Sequence, residues 1–568
     1  MDNVRPAPEQ AKIASNYLRG TLSQELGNTE TSFSKAATAV LKFHGVYQQD
    51  DRDVRKSGTK EVFGMVRVGV PGGVLTADQY LALDRLSEIG NGTLRITTRQ
   101  DIQFHYVPKL RIRELIQGVN DTYLTTLAAC GDVVRNVISC PAPFEDEQRH
   151  ELLPIVRFIS KNLKPKTTAY YDVWLGDERV ETKEVEAPEG EIEPLYGAAY
   201  LPRKFKIGFC YAGDNTIDVY ANDIGIVPHY EAGQLVAFTI LAGGGMGQSA
   251  GVKASHPRMA DPVCSIGPSK EELLEVCSAI VGIHRDFGNR VNRRLARLKY
   301  VLDEWGVEKF KVELEARLGR ILAPPRPLLW SRAADYLGWH RQATDPDGNP
   351  IWFVGVRVIS GRVADSDGRV RIRTGLRTIV ECFRTEVRLT CQQNLYLSGI
   401  RDADRAAIAA LLRDHGIAEP ESLPPVLRHA LACPALPTCG LAITEAERVM
   451  PELVSSVQRE LDAVGLGGQT VDLRVTGCPN GCARPYTAEI GIVGSSVDMY
   501  TIYLGASPLG TRMGRLFAQN VKSHEIAGRL RPVFENYREA RLRGESFGDF
   551  CNRIGIDALK DMAVLAAA

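Results

Sequence analysis

Cys433-Pro434-Ala435-Leu436-Pro437-Thr438-Cys439, followed by Thr476-Gly477-Cys478-Pro479-Asn480-Gly481-Cys482, places four thiols in a C-x5-C and a C-x3-C pair. Four thiolates at such spacings hold either a cubane iron–sulfur cluster or a structural zinc. Zinc ribbons favour two or four intervening residues in tight knuckles. A gap of five beside prolines suits the wider cubane better, with Gly481 letting backbone approach it; four plainly buried cysteines are the third reading. Thr444 and Glu447 have capping-box spacing just past Cys439, which predicts a helix from there to Gly465, its N-terminus stabilising thiolate charge. The other eight of the 12 cysteines are scattered singly and read as small buried hydrophobes.

Outward from this cluster, 568 residues with 44% hydrophobic and 24% charged side chains describe a globular chain of two to four domains. Lys plus Arg equals Asp plus Glu at 69 each. That balance argues against binding nucleic acid through bulk positive charge, so any cationic site must be built locally. Met1 to Gly20 is polar and has no apolar signal core, and no stretch approaches the ~18 apolar residues of a membrane span. The expectation is a cytoplasmic protein with neither membrane nor nucleic-acid partner, in which disulfides are a poor default.

Residues 1–60 read as an arm, with a short helix near Glu9–Tyr17 and loop over Gln48–Lys60. Glu61–Val70 alternates like a strand and breaks at Pro71-Gly72-Gly73; Thr76 caps a helix over Ala77–Ile89; strands follow at Thr93–Thr98 and Ile102–Val107. The order recurs in strands at Ile351–Val358 and Arg369–Arg373, a helix at Leu376–Phe383, and strands at Val387–Thr390 and Leu395–Leu397. Arg95-Ile-Thr97-Thr-Arg99-Gln100-Asp101-Ile102 aligns with Arg388-Leu-Thr390-Cys-Gln392-Gln393-Asn394-Leu395, and Asp223-Ile-Gly-Ile-Val227 with Glu489-Ile-Gly-Ile-Val493. Chance likeness of short β-rich segments competes with duplication; two matches in one order favour duplication, with a site between the halves. Ala323–Pro327 reads as a linker and the glutamate-rich Glu181–Glu193 as a solvated loop.

The two cysteine pairs resemble the signature of the siroheme/[4Fe–4S] nitrite and sulfite reductase family. The likeness extends through Ser15-Asn-Tyr-Leu-Arg-Gly20, Lys42-Phe-His-Gly-Val-Tyr-Gln-Gln-Asp-Asp-Arg-Asp53, Thr98-Arg-Gln-Asp-Ile-Gln-Phe-His105, Tyr200-Leu-Pro-Arg-Lys-Phe-Lys206 and Phe547-Gly-Asp-Phe550, which look like the hemoprotein (beta) component of the NADPH-dependent type. The resemblance implies an α/β (α+β), three-part, pseudo-twofold fold of duplicated ferredoxin-like half-domains plus siroheme-binding α/β domains. The expected division is an arm at 1–60, half-domains at 61–145 and 345–425, and α/β domains at 146–344 and 426–568. It implies assimilatory reduction of sulfite to sulfide, for cysteine biosynthesis, at siroheme coupled to a [4Fe–4S] cluster. By the resemblance, Cys433, Cys439 and Cys478 hold cluster irons and Cys482 bridges cluster and siroheme. Arg99, Arg135, Lys204 and Lys206 form the catalytic cationic pocket. Gln103, His105, Gly243, Gly244, Gly245 and Asn480 match segments around the macrocycle. His105 is expected to make a structural hydrogen bond. His105-Tyr106 stands where relatives often have His-Gly, so the backbone there is expected to differ.

Residue chemistry agrees. An anion that sheds oxygens as water needs fixed charge and proton donors. Arg supplies a permanent planar fork, and Lys an ammonium whose pKa falls when cations crowd it. On a strand, Lys204 and Lys206 share a face with Phe205 opposite. Taken alone, that pair reads as a solvated strand face. Lysine at both positions implies sulfite rather than nitrite, since nitrite-reducing relatives typically carry asparagine at the second. No strand–Gly-x-Gly-x-x-Gly–helix unit occurs, and Gly243-Gly-Gly-Met-Gly247 lacks that spacing. Electrons must therefore come from a partner: an FAD/FMN flavoprotein by resemblance, with ferredoxin second. The alternatives are a ferredoxin-dependent sulfite or nitrite reductase and, in another class, a zinc-stapled binding protein.

Overall fold

Gly73 and Gly361 sit at equivalent crossings, and they explain how the duplicated halves interlock. The computed structural model describes residues 5–57, 61–145, 147–167, 169, 173–175, 178–180, 192–366 and 368–565. One five-stranded sheet runs Val46–Asp50, Val62–Val68, Ile102–Val107, Leu94–Ile96, Arg362–Val363; the other runs Gly338–Thr344, Pro350–Val356, Leu395–Arg401, Glu386–Leu389, Val74–Leu75. The last strand of each is donated by the other half: Arg362 pairs with Arg95, and Val74 with Arg388. The chain crosses on single turns ending at Gly73 (φ 75°) and Gly361 (φ 72°). A Cβ would lie 2.6 Å from the Leu389 carbonyl oxygen at Gly73 and 2.2 Å from the Ile96 carbonyl oxygen at Gly361, so only glycine permits the exchange.

A second duplication follows. Ile138–Ser139, Ile207–Phe209, Ile224–Glu231, Gln234–Ala242 and Asp261–Ile266 form one sheet; Leu431–Ala432, Leu473–Thr476, Ile490–Ser496, Met499–Leu504 and Arg515–Lys522 form its counterpart. Each has two parallel then two antiparallel pairings. The Asp223–Val227 and Glu489–Val493 matches lead into equivalent strands. One apolar core runs from Leu18 to Ile417, and a second from Val426 to Leu559. No helix among the described residues is long and apolar enough to cross a membrane.

Several local expectations are corrected by tertiary partners. Gln48–Asp50 is strand, not loop, because Val46–Asp50 pairs with Val62–Val66. The first helix is Ala7–Ile13, and Asn16, Tyr17 and Leu18 have positive φ. Its Glu9 and Lys12 are buried in a network with Asp132, Arg290 and Arg293, which locks the arm down. At Arg369–Arg373, only Val370–Arg371 is strand, in a hairpin with Asp365–Ser366; helix begins at Ile372. The helix expected after Cys439 starts later, at Met450, and ends before Gly465. Thr444 instead accepts from the Asp498 amide, and Glu447 pairs with Arg95 and Arg362. Ala323 is stitched to Ser265 at a sheet edge. Residues 181–191 of the glutamate-rich stretch lie outside the described residues, whereas Glu193 is buried and accepts from Tyr200 Oη.

Candidate active site

A small cleft opens where the duplicated units meet. The turn after Leu94–Ile96 supplies Thr98 and Arg99. The segment before Ile207–Phe209 supplies Lys204 and Lys206. Asn222, Met246, Gly247 and Arg297 come from the middle of the chain, and Asn480, Gly481 and Arg484 from the cysteine-bearing part. Lys204–Lys206 is extended but not regular strand: only Phe205 bridges, to Val134. That bridge drives Phe205 into the core and turns both lysines to the cleft. The lysines are thus no solvated face.

The cations differ in how free they are. Arg99 is spent on the Asn222 side chain (2.5 Å) and the Asn136 and Ile207 carbonyls (2.6 and 2.9 Å), with its buried Nε left without a partner among the described residues. Burial lowers its pKa to about 10. Neither lysine ammonium makes a hydrogen bond or ion pair with a described residue. Burial, then Arg135 and Arg297, brings Lys204 down to about 7. Burial, then Lys204 and Arg99, pushes Lys206 well below the usual lysine range. Arg135 lies behind the cleft wall, donating to Gly131 O and Tyr47 Oη (3.2 and 3.4 Å).

The sequence reading passed over Arg67. It lies on Val62–Val68 among apolar neighbours, within charge range of Cys482 and 4.0 Å from Asp101. With its amide oxygen turned inward, Gln103 accepts from Arg67 Nη2 (2.7 Å). The available signal was one arginine interrupting an otherwise apolar strand. Arg297 and Arg484 were missed too. Arg297 forks onto Asp223 (2.9 and 2.7 Å). Arg484, two residues past Cys482, pairs with Asp218, which also holds Arg474. Asp218 and Arg484 occupy equivalent αL positions before matching single turns (φ 52° and 56°). Their ion pair therefore joins the two copies across the pseudo-axis.

Gly243, Gly244 and Gly245 do not line the cleft. Gly244 packs on the Tyr220 carbonyl and Gly245 on the Arg297 guanidinium, where Cβ atoms would lie 2.2 and 2.8 Å away. Lys299 fastens this loop through the Gly245 and Gly247 carbonyls. His105 makes no structural hydrogen bond among the described residues: both ring nitrogens are buried without a partner. Tyr106 adopts the left-handed conformation glycine would favour (φ 58°), with its ring stacked on Phe63 and its hydroxyl on Asp51. The backbone there is thus the one a glycine would take.

The four cysteines gather beside the cleft. Cys433 lies within charge range of Cys482, Cys439 and Cys478. Cys433 Sγ accepts from the Gly477 amide and Cys478 Sγ from Asn480 Nδ2, both at 3.4 Å. The thiols are unpaired. Among the described residues no three Cys, His, Asp or Glu side chains form a group that could hold a single metal ion. The helix expected just past Cys439 begins only at Met450, so its N-terminus does not follow directly on that thiol. Cys482, the exposed thiol of the four, feels the charges of Lys204, Lys206 and Arg67. Thiols of this softness, uncommitted cations and the orphaned nitrogens of Arg99 and His105 fit an iron–sulfur cluster next to a polyanionic macrocycle.

Comparison with known proteins agrees. A profile described as the nitrite/sulfite reductase ferredoxin-like half domain matches residues 55–121 and 344–415, the interlocked sheets. One described as the nitrite and sulphite reductase 4Fe-4S domain matches residues 157–322. That match falls on the copy without the four clustered cysteines, as the duplication explains. The chain is 45% identical to the sulfite reductase [NADPH] hemoprotein beta-component of Myxococcus xanthus, covering 96% of each. It is 42% identical to the sulfite reductase [ferredoxin] of Synechococcus elongatus, covering 98% of this chain and 90% of that one. The NirA protein of Mycobacterium tuberculosis shares the fold, with a TM-score of 0.78 at 24% identity over 98% of this chain and 97% of that chain.

Proposed function

The chain belongs to the nitrite and sulfite reductase family, and on that premise we propose that it is the catalytic hemoprotein of an assimilatory sulfite reductase, forming sulfide for cysteine biosynthesis. The observation that carries this reading is the cleft of free lysines abutting a four-thiol cluster through Cys482. Siroheme coupled to a [4Fe–4S] cluster would supply low-potential electrons and a soft metal for sulfur. Cys433, Cys439, Cys478 and Cys482 would hold the cluster, with Cys482 shared. By the family resemblance, Gln103, His105 and Asn480 would contact the macrocycle.

The protein's own residues do the acid–base and electrostatic work. Lys204, brought down to about 7, and Lys206, pushed well below the usual lysine range, are unpaired among the described residues, so they can hold or release protons at Nζ beside a bound anion. Arg135 and Arg67 contribute permanent charge. Arg99 acts mainly by fixing the turn that carries Thr98 against the cysteine part, through Thr98 Oγ1 to Cys482 O (3.0 Å). The proposed division stays 1–60, 61–145, 146–344, 345–425 and 426–568, except that Val46–Asp50 belongs to the first half-sheet.

Electrons come from a separate donor, with an FAD/FMN flavoprotein preferred and ferredoxin second. A matrix of sulfite and nitrite against an NADPH-flavoprotein and ferredoxin tests both choices. Turnover of sulfite with the flavoprotein, and no NADPH oxidation by the chain alone, is expected. NADPH consumption by the chain alone would overturn the need for a donor.

A further inference from the structure

The segment that carries the two cleft lysines is held in place by the N-terminal arm. Residues 199–204 form no strand, so their backbone groups must find partners outside a ladder. Side chains take the carbonyls one after another. Arg290 donates to Ala199 O and Tyr200 O (3.3 and 2.6 Å), Lys12 Nζ to Leu201 O (2.7 Å), Arg293 to Pro202 O (3.1 Å) and His284 Nε2 to Arg203 O (3.3 Å). Lys204 follows directly. Phe205 is then tied to Val133, and the Lys206 amide donates to Asp223.

The three cations in this series converge on a single carboxylate. Glu9 lies on the helix Ala7–Ile13 and is wholly buried. Its Oε1 takes Lys12 Nζ (2.5 Å) and Arg293 Nη1 (2.8 Å), and its Oε2 takes Arg290 Nη1 (2.7 Å). Each cation therefore bridges Glu9 and the lysine segment. Asp132 adds a second carboxylate on Arg293 (2.7 Å), and its own carbonyl accepts from the Leu201 amide (3.0 Å). Anchoring the arm alone would need none of this, because Leu18, Leu22 and Phe33 already pack it into the core. Burying a carboxylate with three cations carries a desolvation cost that apolar packing avoids. What the charges add is direction: fixed donors on four consecutive carbonyls.

We infer that Glu9 is a positioning residue for the cleft: by gathering Lys12, Arg290 and Arg293 on the carbonyls of residues 199–202, it fixes where Lys204 and Lys206 stand against a bound anion. This rests on the sulfite-reducing role proposed above, and it makes the arm part of the reductase site. Without the Glu9 charge, three buried cations face one another with Asp132 as their remaining carboxylate, and repulsion spreads them. The carbonyls they hold move with them. A displacement of about 1 Å at groups that bind and protonate a substrate costs about 10²-fold.

The test compares Glu9→Gln with Asp84→Asn in the cofactor-loaded protein. Asp84 is an equally buried carboxylate holding two guanidiniums, Arg373 and Arg377 (2.7 and 2.5 Å), on the helix Ala77–Leu86, no residue of which lines the cleft. With a chemical reductant, and counted per siroheme, Glu9→Gln should lower kcat/KM for sulfite about 10²-fold, of which about tenfold is a weaker dissociation constant. That constant is read without turnover, from the change in siroheme absorption on adding sulfite. Glu9→Asp, which keeps the charge, should restore most of both. Hydrogen exchange over residues 199–206 should quicken in Glu9→Gln and keep the wild-type rate in Asp84→Asn. Asp84→Asn should lose stability and leave the sulfite constants per siroheme unchanged. Lys12→Met frees the Leu201 carbonyl while Glu9 keeps both arginines, so it should shift the same constants in the same direction, and it decides the matter if Glu9→Gln fails to fold. A loss of stability or siroheme content with wild-type constants per siroheme, in Glu9→Gln or in Lys12→Met, would overturn the positioning role alone. A wild-type protein that neither binds nor reduces sulfite would overturn the proposed function, and the positioning role with it.

Discussion

Asp218→Asn is expected to weaken the junction between the two copies of the α/β unit. The Asp218 carboxylate is 2% exposed and holds Arg474 (2.6 Å) and Arg484 (2.5 Å) together. Burial would raise its pKa, yet Arg474 and Arg484 outweigh burial and keep it below the usual carboxylate range. Removing one partner of a buried pair leaves an uncompensated charge, a loss of about 3–5 kcal/mol. Here two guanidiniums lose their common partner, though each keeps others: Arg474 keeps Asp472, and Arg484 keeps the Cys391 carbonyl. The lower end, about 3 kcal/mol, is therefore expected. Because the folded pKa is depressed, this stabilisation is full above the unfolded carboxylate value and is lost as pH falls through the folded one. The gap between variant and wild type should thus hold from pH 5 to 8 and narrow below about pH 4. Urea unfolding followed by circular dichroism, with siroheme retained per chain as a second readout, measures it. In a double-mutant cycle with Arg484→Met, the coupling should reach about 1–3 kcal/mol. A loss under about 1 kcal/mol, or strictly additive losses, would refute the reasoning.

Lys206→Asn should cut kcat/KM for sulfite by about 10²–10³ and spare nitrite, measured with a chemical reductant; equal losses would remove Lys206 from discrimination. Sulfite turnover should fall as pH rises through about 7, where the Lys204 ammonium deprotonates. Since Arg135 is one of the charges lowering it, Arg135→Met should move that limb to higher pH, and a limb that stays put would assign it to another group. Cys482→Ser should uncouple siroheme from the cluster, because a serine oxygen is a poor ligand for soft metal; unchanged coupling in the spectrum would exclude Cys482 as the bridge.

What the sequence disclosed, and what it hid, follows physical lines. The duplication was legible because strand alternation and the paired Gln100 and Gln393 turns are local patterns. The strand exchange at Gly73 and Gly361 was not, since nothing local says that a two-residue strand will pair with the other half. Thr444 and Glu447 looked like a cap because spacing is all a sequence offers; buried arginines claimed Glu447 instead. Lys204 and Lys206 needed the family likeness, because an alternating Lys-Phe-Lys is equally a solvated edge until Phe205 is seen bridging Val134. Arg67, Arg297 and Arg484 escaped because their importance lies in what they face from distant elements. His105 was misjudged for the opposite reason: a buried histidine is usually satisfied, and this one is left open.

The central claim is tested most directly by counting the products of sulfite reduction. The purified, cofactor-loaded chain is given a chemical reductant and sulfite, and sulfide formed is measured against electrons consumed, with nitrite run in parallel. Sulfide at about one per six electrons, the difference between the two sulfur oxidation states, with kcat/KM higher for sulfite than for nitrite, is the predicted result. Absence of sulfide from a preparation carrying both siroheme and the cluster, or a clear preference for nitrite, would contradict the account.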